Sequence, residues 1–327
     1  MIKSWKNSNV FVTGCNGLLG SWLVKYLLDN GANVIGLLRD ELPNSNLDQL
    51  GLCEKITSVR GDLQDYSLLR RIMSEYEVGF VFHLAAQTLV TVANTDPRST
   101  FETNIRGTWN ILEVARQTKS LKGIIVASSD KAYGEKCKLP YHETDSLEGS
   151  HPYDVSKSCA DLIAQSYYKT YKVPVCVTRC ANLYGGGDLN FSRIIPGTIR
   201  SAFYNERPII RSDGKFLRDY FYVEDAVLAM LNLAEYMKNK LVLGEAFNFS
   251  SGVHLNVVDL VERILRLMGK KIKSVVLNKA HNEIRDQYLS IKKANNLLKW
   301  HPCFDIHVGL KRTIEWYMTY FVTREGR

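Results

Sequence analysis

The sequence predicts an α/β fold in which helices cover both faces of a parallel sheet. Short apolar strands alternate with amphipathic helices from residue 9 to about residue 180, and a glycine-rich turn separates the first strand from the first helix. This alternation is typical of doubly wound sheets, because a parallel connection needs a crossover element, usually a helix. The elements are taken below in chain order.

The first strand, "NVFVTG" (9–14), precedes a helix over "LLGSWLVKYLLDNG" (18–31), whose apolar residues recur at helical spacing. The next predicted elements are a strand over 33–38, a strand over 56–61, a helix around 67–77, a strand over 79–85, a helix around 101–117, a strand over 123–129, a helix over 153–171 and a strand over 174–180. Near-continuous apolar strands of this kind indicate a sheet that is buried on both faces.

The regular alternation ends near residue 181, where a glycine-rich loop and mixed short elements begin. We therefore expect a first domain over 1–180 and a smaller mixed α/β C-terminal lobe over 181–327 that binds the substrate. Some segments of the second half are expected to return to the first domain. The ligand should lie between them, at the carboxyl edge of the sheet.

The composition is that of an ordinary globular protein. Hydrophobic residues make up 45% and charged residues 23% of the 327 residues, with no apolar run of membrane-spanning length and no signal-peptide pattern. We expect a cytoplasmic protein without a membrane partner. The net charge of +8 is dispersed and accompanies no nucleic-acid-binding motif, so no nucleic acid partner is expected.

Cysteine and histidine give no sign of a metal site. The seven cysteines are scattered without a CxxC pair, and the seven histidines show no HxxxH or HExxH spacing. The sequence therefore predicts reduced thiols and no bound metal.

The turn "TGCNGLLG" (13–20) places Gly14, Gly17 and Gly20 three residues apart between a strand and a helix. Glycines let the backbone approach a pyrophosphate, and the helix N-terminus offers unpaired N–H groups. A glycine triplet alone is weak evidence, but this one has the strand before it and the helix after it that a dinucleotide site requires. We therefore predict a Rossmann-type domain that binds NAD or NADP.

Two further strand ends bear on the cofactor. "LLRD" ends the second strand with Arg39, which favours the 2′-phosphate of NADP, and Asp40, which favours the ribose hydroxyls of NAD. Asp62 and Leu63 follow the third strand, where they could hold adenine or simply form a strand-to-helix turn. The choice between NAD and NADP stays open at this point.

The stretch "VASSDKAYG" (126–134) places Ser129, Asp130 and Lys131 at the end of a core strand, and "YDVSK" puts Tyr153 and Lys157 on one helix face. Each group alone also fits a polar turn or an exposed helix face. Together they indicate chemistry: a neighbouring ammonium should lower the pKa of the phenol and make Tyr153 a general base, while Ser129 bonds the same substrate oxygen.

With these motifs the chain resembles the extended short-chain dehydrogenase/reductase family, in particular its nucleotide-sugar epimerases and dehydratases. The likeness runs over nearly the whole length, through "TGCNGLLG", "GDLQD", "HLAAQ", "FETNIRGTWNILE", "SSDKAYG", "HPYDVSK", "RCANLYGGGD", "RDYFYVEDA" and "IKKANNLLKW". It implies a nucleoside-diphosphate sugar as substrate and a catalytic set of Ser129, Tyr153 and Lys157.

The resemblance also implies two sets of binding residues. The cofactor would be bound by Gly14, Asn16, Gly17, Leu18, Leu19, Gly20, Arg39, Asp40, Asp62, Leu63, Leu84, Ala85, Ala86, Gln87, Asn104, Tyr153 and Lys157. The substrate would be bound by Gln87, Ser129, Asn182, Arg193, Arg218 and Arg285. Asn182 could instead cap a turn, and Arg218 could pair with Asp219 or Asp225.

Asp130 and Lys131 discriminate within the family. Sugar 4,6-dehydratases carry acid–base side chains after the catalytic Ser or Thr, and an Asp-Lys pair resembles CDP-glucose 4,6-dehydratases. This implies a tightly bound NAD(P) that is recycled in each turnover. We assign Asp130 as the general acid and Lys131 as the general base or as a proton relay. A lysine must lose its proton to act as a base.

Two other functions remain open. A 4-epimerase would use Ser129, Tyr153 and Lys157 without needing the Asp-Lys pair. A catalytically silent dinucleotide-sensing protein is the third reading, because fold alone is no proof of activity. The resemblance further implies a homodimer formed by the helices around 101–117 and 153–171, whose apolar faces could equally be buried within one chain.

Overall fold

The computed structural model describes residues 5–40, 45–279 and 284–325. The strands are β1 Asn9–Thr13, β2 Asn33–Leu38, β3 Thr57–Arg60, β4 Phe80–His83, β5 Gly123–Ala127, β6 Val175–Cys180, β7 Asn182–Tyr184, β8 Ile209–Ile210, β9 Leu217–Tyr222, β10 Ala246–Phe249, β11 His254–Asn256, β12 Val275–Val276 and β13 Asp286–Gln287. Seven of them form one parallel sheet in the order β10-β6-β5-β4-β1-β2-β3. The predicted parallel α/β fold is confirmed.

The helices lie on both faces of this sheet. They are α1 Leu18–Asp29, α2 Asn46–Gln49, α3 Tyr66–Glu75, α4 Val90–Thr95, α5 Pro97–Phe101, α6 Gly107–Gln117, α7 Pro152–Tyr171, α8 Ile194–Phe203, α9 Val223–Tyr236, α10 Val257–Leu267, α11 Lys292–Leu298 and α12 Ile306–Glu325. Helices α1 and α9 pack together in one layer, while α3, α6 and α7 form another.

Alternating residues of the central strands enter two separate cores. Val10 and Val12 of β1 belong to the apolar cluster under α1 and α9, whereas Phe11 belongs to the cluster under α3 and α6. Phe80, Phe82 and Val81 of β4 divide in the same way. Because successive strand side chains point to opposite faces, an apolar run at every position fills both cores.

The helix predicted around 101–117 is interrupted by a turn of π-helix over Glu102–Arg106. Helix α5 precedes this turn and α6 follows it, so one π-helical turn separates two α-helices. The other predicted elements of the first 180 residues are present with slightly different ends: β4, for example, ends at His83 rather than at residue 85.

The second half of the chain contributes to both parts of the molecule. Strands β11, β9, β13 and β7 form a small sheet, and β8 pairs with β12. Strand β10, however, pairs with β6 as an edge of the large sheet, and α9 packs against α1. The small sheet lies close to the carboxyl edge of the large sheet, because residues of β7 and β9 line the same cavity as the turns at that edge.

Candidate active site

A cavity of about 1250 Å³ opens at the carboxyl edge of the large sheet. Its lining comes from the turns after β1, β2, β3, β4 and β5, from α7 and α8, and from strand β9 of the small sheet. Parallel strands direct all their carboxyl ends to one edge, which explains why distant parts of the sequence meet there.

The three glycines of the first turn have different structural roles. Gly14 has φ +70° and a Cβ there would lie 2.8 Å from Ala85 N, while a Cβ on Gly20 would lie 2.0 Å from Gly14 O. A Cβ on Gly17 would meet only Gly14 O, at an ordinary 3.4 Å. Gly14 and Gly20 are therefore required by the fold, whereas Gly17 keeps the cavity wall open.

The N-terminus of α1 carries no side-chain cap, and its N-cap residue is Gly17 itself. The first turn of this twelve-residue helix lines the cavity through Leu18, Leu19 and Gly20. Unpaired N–H groups and the helix dipole favour an anion at such a position. The loop therefore fits the diphosphate of a dinucleotide.

The residues predicted to select the cofactor lie on the cavity wall. Arg39 Nε donates to Asp40 Oδ2 over 2.7 Å, and both side chains are more than half exposed. Asp62 and Leu63 also line the cavity, and Asp62 Oδ1 accepts from Gln64 N at 2.8 Å. The two charges of "LLRD" thus neutralise one another at the end of β2.

Asn104 is not among the residues that line the cavity, and its role as a direct cofactor ligand stays a prediction. Its side chain is buried, accepts from Gln87 N at 2.7 Å and donates to Gln87 O at 3.0 Å. It also donates to Ser156 Oγ over 2.8 Å. The π-helical turn directs Asn104 inward, where it fixes the Leu84–Gln87 loop that lines the cavity.

Ser129, Tyr153 and Lys157 come together on the cavity wall. Ser129 lies near enough to Tyr153 to lower the pKa of the phenol. Lys157 Nζ donates to Ala127 O, the last residue of β5, over 2.8 Å. The i, i+4 spacing on α7 therefore places the phenol and the amine at the end of the strand that carries Ser129.

The electrostatics of this group differ from the sequence prediction. Burial raises the pKa of Tyr153 to about 12, against the smaller lowering influences of Ser129 and Arg193. Burial also lowers the pKa of Lys157 to about 8. The predicted lowering of the Tyr153 pKa by Lys157 is therefore wrong for this structure, because removal of the phenol from solvent dominates.

Asp130 and Lys131 occupy the 3-10 turn Asp130–Tyr133 directly after Ser129, and both line the cavity. Asp130 is only 2% exposed, and burial raises its pKa, as expected for an acid. Its Oδ1 accepts from Ser129 Oγ over 3.0 Å, while its Oδ2 has no partner within the described residues. Lys131 is half-buried, and its Nζ donates to Gln287 Oε1.

Three of the predicted substrate residues that follow residue 180 line the cavity: Asn182, Arg193 and Arg218. Arg193 Nη1 pairs with Asp188 Oδ2 at 3.0 Å. Arg218 is largely buried, and its Nη1 donates to the carbonyl oxygens of Leu217 and Arg285 at 3.0 and 2.7 Å. Neither Asp219 nor Asp225 is one of these two acceptors of Arg218.

Arg285 is not among the residues that line the cavity, and its role as a phosphate ligand stays a prediction. Its side chain is exposed and does not contribute to the cavity lining. Its backbone carbonyl accepts from Arg218. Strand β13 begins only at the next residue, Asp286, and its second residue, Gln287, is buried.

Sequence reasoning missed four polar residues near the site. Asp188 holds Arg193 and was visible only as the last letter of "GGGD". Asn46 and Ser45 line the cavity from the start of α2, for which no pattern in the sequence gave a signal. Gln287 contacts Lys131 from a strand of two residues, which is too short to be read from periodicity.

The comparisons with known proteins agree with this geometry. The family model described as GDP-mannose 4,6 dehydratase matches residues 11–313. The chain belongs to this family. Membership confirms the resemblance to the extended short-chain dehydrogenases and their nucleotide-sugar 4,6-dehydratases.

Individual relatives include both dehydratases and epimerases. CDP-glucose 4,6-dehydratase of Salmonella typhimurium is 30% identical over 96% of this chain and 91% of its own length. A putative UDP-glucose 4-epimerase of Methanocaldococcus jannaschii is 31% identical over 94% of this chain and 97% of its own. These matches support an enzyme of this family without fixing its reaction.

Solved structures show the same division. An epimerase of Methanothermobacter thermautotrophicus matches with a TM-score of 0.89 and 29% identity, covering 98% of this chain and 95% of its own. dTDP-glucose 4,6-dehydratase of Bacillus anthracis was solved in complex with NAD. It matches with a TM-score of 0.83 and 28% identity, covering 95% of this chain and 97% of its own.

Two negative findings apply to residues 5–40, 45–279 and 284–325. None of the helices there combines the length and apolarity needed to span a bilayer. No three side chains among His, Cys, Asp and Glu come together as a metal site.

Proposed function

We propose that the protein is a 4,6-dehydratase that converts a nucleoside-diphosphate hexose, such as CDP-glucose or GDP-mannose, into the 4-keto-6-deoxy sugar. The observation that carries this proposal is the Asp130–Lys131 pair on the cavity wall beside Ser129 and Tyr153. An acid and a base are what elimination of water requires beyond the oxidising set of residues.

We propose NAD as the cofactor. Gly17 and the N-terminus of α1 fit the diphosphate, and Asp40 and the Leu84–Gln87 loop complete the wall on which the dinucleotide would lie. The Bacillus anthracis relative was solved with NAD, and Arg39 is already paired with Asp40. NAD, when bound, supplies a hydride acceptor that returns the hydride later in the turnover. Mass spectrometry of the nucleotide released on denaturation would distinguish NAD from NADP.

Tyr153 and Ser129 would handle the proton of the carbon-4 hydroxyl. Because burial raises the pKa of Tyr153 to about 12, the phenol is protonated near neutral pH. Tyr153 must therefore pass its own proton on before it accepts one from the substrate. The proton of Tyr153 would pass to the Ser129 hydroxyl, while Ser129 passes its own proton to Asp130 Oδ1, which accepts from it at 3.0 Å, so that the proton ends on Asp130. Arg193 would stabilise the phenolate that forms.

Asp130 and Lys131 would then eliminate water. Once carbon 4 is a ketone, the carbon-5 hydrogen becomes acidic and Lys131 removes it as a proton. The electron pair of the broken C5–H bond forms the C5–C6 double bond, while the hydroxyl leaves carbon 6 with the proton of Asp130. The raised pKa of Asp130 keeps that proton available.

Arg218, Arg193 and Asn182 would bind the diphosphate or the sugar. The two guanidinium groups supply positive charge and directed donors, which suits a diphosphate. We expect Arg218→Ala to raise the KM for the sugar nucleotide far more than the Kd for NAD. The opposite ranking would reject this assignment.

The direct test incubates the purified protein with CDP-glucose, GDP-mannose, UDP-glucose and dTDP-glucose, each with added NAD. Dehydration of one of them is expected, seen as loss of one water by mass spectrometry and as an alkali-dependent chromophore of the 4-keto product. The proposal fails if no hexose loses water while one of them is isomerised.

A 4-epimerase is the second candidate. It is favoured by the epimerase relatives and by the grouping of Ser129, Tyr153 and Lys157, which epimerisation also needs. An epimerase would leave the substrate mass unchanged and would tolerate Lys131→Met, so the same assay separates the two reactions.

A further inference from the structure

The side chain of Gln287 contacts Lys131, although the two residues lie 156 positions apart in the sequence. Lys131 Nζ donates to Gln287 Oε1 over 3.2 Å. Lys131 follows β5 of the large sheet, whereas Gln287 lies on β13 of the small sheet. This contact therefore links the proposed base to the part of the molecule across the cavity.

Gln287 is held firmly in place. It is fully buried, and its strand pairs with β9, where Gln287 lies opposite Arg218. On its other side, Tyr141 N donates to Tyr288 O at 3.0 Å and Ser290 N donates to Tyr141 O at 2.9 Å. The backbone around Gln287 is thus fixed from two directions, so its amide is a rigid reference point for a flexible lysine.

The amide is not explained by stability. Gln287 Nε2 has no hydrogen-bond partner within the described residues, and a buried donor without an acceptor costs about 1–3 kcal/mol. An apolar side chain of similar size would avoid that cost. What the amide offers is a neutral acceptor for an ammonium, whereas a carboxylate at the same place would favour the charged form of Lys131.

We propose that Gln287 is a positioning residue that aims the amine of Lys131 at carbon 5 of the hexose through an uncharged hydrogen-bond acceptor. The inference rests on the proposed dehydratase reaction, in which Lys131 takes the carbon-5 proton. An acceptor on the far strand holds the amine of Lys131 at the cavity wall, and it does so without adding a negative charge beside the amine.

Charged groups from three elements surround this contact. Asp130 lies on the same turn as Lys131, Asp154 lies on α7, and Arg218 lies on β9 beside Gln287. Lys131 acts electrostatically on both carboxylates, and Arg218 acts on Asp130. A new carboxylate at position 287 would therefore add a third negative group around Lys131.

Two substitutions in the full-length protein loaded with NAD test the proposal. For Gln287→Met we expect kcat for dehydration to fall about tenfold or more with KM nearly unchanged, since only proton transfer is misaligned. The kinetic isotope effect with a carbon-5-deuterated sugar should rise, because that step becomes rate-limiting. For Gln287→Glu we expect the pH–rate profile to move up by about one pH unit, because the added carboxylate would favour the charged form of Lys131.

The matched control is Asp286→Asn. Asp286 is the other residue of β13, and its carboxylate accepts from Leu217 N at 3.1 Å. The substitution therefore removes one charge from the same strand, at a side chain that contacts Leu217 and not Lys131. Its pH profile should match that of the parent protein. Thermal unfolding of all variants checks folding, and Gln287→Glu, nearly the same size as the parent residue, keeps the test available if Gln287→Met does not fold.

Lys131→Met separates the two levels of the proposal. If it leaves the dehydration rate and the isotope effect unchanged, Lys131 is not the base and the proposed mechanism fails. If it slows dehydration while both Gln287 variants keep the parent rate, isotope effect and pH profile, only the positioning role of Gln287 is overturned.

Discussion

The two carboxylate oxygens of Asp130 have different environments. Oδ1 accepts from Ser129, whereas Oδ2 is buried without a partner in the described part of the chain. A buried carboxylate in this state favours its neutral form, which is why its pKa is raised. The residue is therefore a poor stabiliser of the fold and a suitable acid for catalysis.

We expect Asp130→Asn to lower the dehydration rate by about 10²-fold or more, because the amide cannot protonate the leaving hydroxyl. Stability should not fall. Since the folded pKa lies above the unfolded value of about 3.9, ionised Asp130 weakens the fold as pH rises, and the neutral amide removes this effect. Initial rates and urea unfolding at pH 5 and pH 8 measure both quantities.

The control is Asp145→Asn, which removes one negative charge in a turn outside the cavity, where the carboxylate accepts from His142 N. It should retain activity. Full activity of Asp130→Asn, or a stability loss that grows with pH, would contradict the assignment of Asp130 as a buried acid.

His83, at the end of β4, predicts acid sensitivity. It is buried between the hydroxyls of Thr13 and Thr108, and burial lowers its pKa to about 3. The pKa of histidine in the unfolded chain is about 6.5, so below that pH the unfolded chain binds a proton at His83 and the folded chain does not. The free energy of unfolding should fall with pH, by about 2 kcal/mol from this residue at pH 5.

His83→Gln checks this expectation, because the amide offers a donor and an acceptor but does not titrate. Urea unfolding at pH 7.5 and pH 5 should give a smaller loss in the variant than in the parent protein. Equal losses in both proteins would mean that His83 is not the source of the acid sensitivity.

At the scale of secondary structure, the π-helical turn between α5 and α6 is the element that shapes the cofactor wall. It places Asn104 against both backbone groups of Gln87. Single turns of π-helix occur frequently at functional sites. Here the turn directs Asn104 toward the neighbouring loop, whose backbone it holds through two hydrogen bonds to Gln87.

We expect Asn104→Ala to leave Gln87 N without its acceptor, to destabilise the fold by about 1–3 kcal/mol and to raise the Kd for NAD severalfold. Isothermal titration and thermal unfolding measure these effects. Asn9→Ala is the control, because Asn9 donates to Tyr76 O at the opposite edge of the sheet. It should lose stability without weaker NAD binding; an equal loss of affinity in both variants would exclude a specific role for Asn104.

The same elements explain what the sequence could predict. Apolar residues at consecutive positions of β1 and β4 indicated a sheet buried on both faces, and the glycine spacing indicated the phosphate loop. The inward direction of Asn104 and the burial of Gln287 could not be predicted, because a π-turn and a two-residue strand leave no periodic signal. The spacing of Tyr153 and Lys157 was visible, but the burial that controls the pKa of Tyr153 depends on the assembled cavity.

At the scale of the whole molecule, α6 and α7 each expose a large apolar side chain. Glu113 contacts Tyr167 and Arg116 lies over Tyr171, so the two helices run side by side in the same direction. The same register places Trp109, 43% exposed, level with Leu162, 55% exposed. Exposed large apolar residues grouped on adjacent helices are typical of an interface, which supports the expected homodimer.

We expect the protein to elute as a dimer and the double variant Trp109→Glu, Leu162→Glu to elute as a monomer, measured by light scattering after size exclusion. In a twofold interface every residue occurs twice, so these two substitutions bring four carboxylates together in a buried patch. Leu241→Glu, at an apolar residue that is 71% exposed and outside both helices, is the control and should remain dimeric. A monomeric parent protein, or a double variant that stays dimeric, would show that α6 and α7 do not form the contact, because no stable interface tolerates that much unpaired charge at its centre.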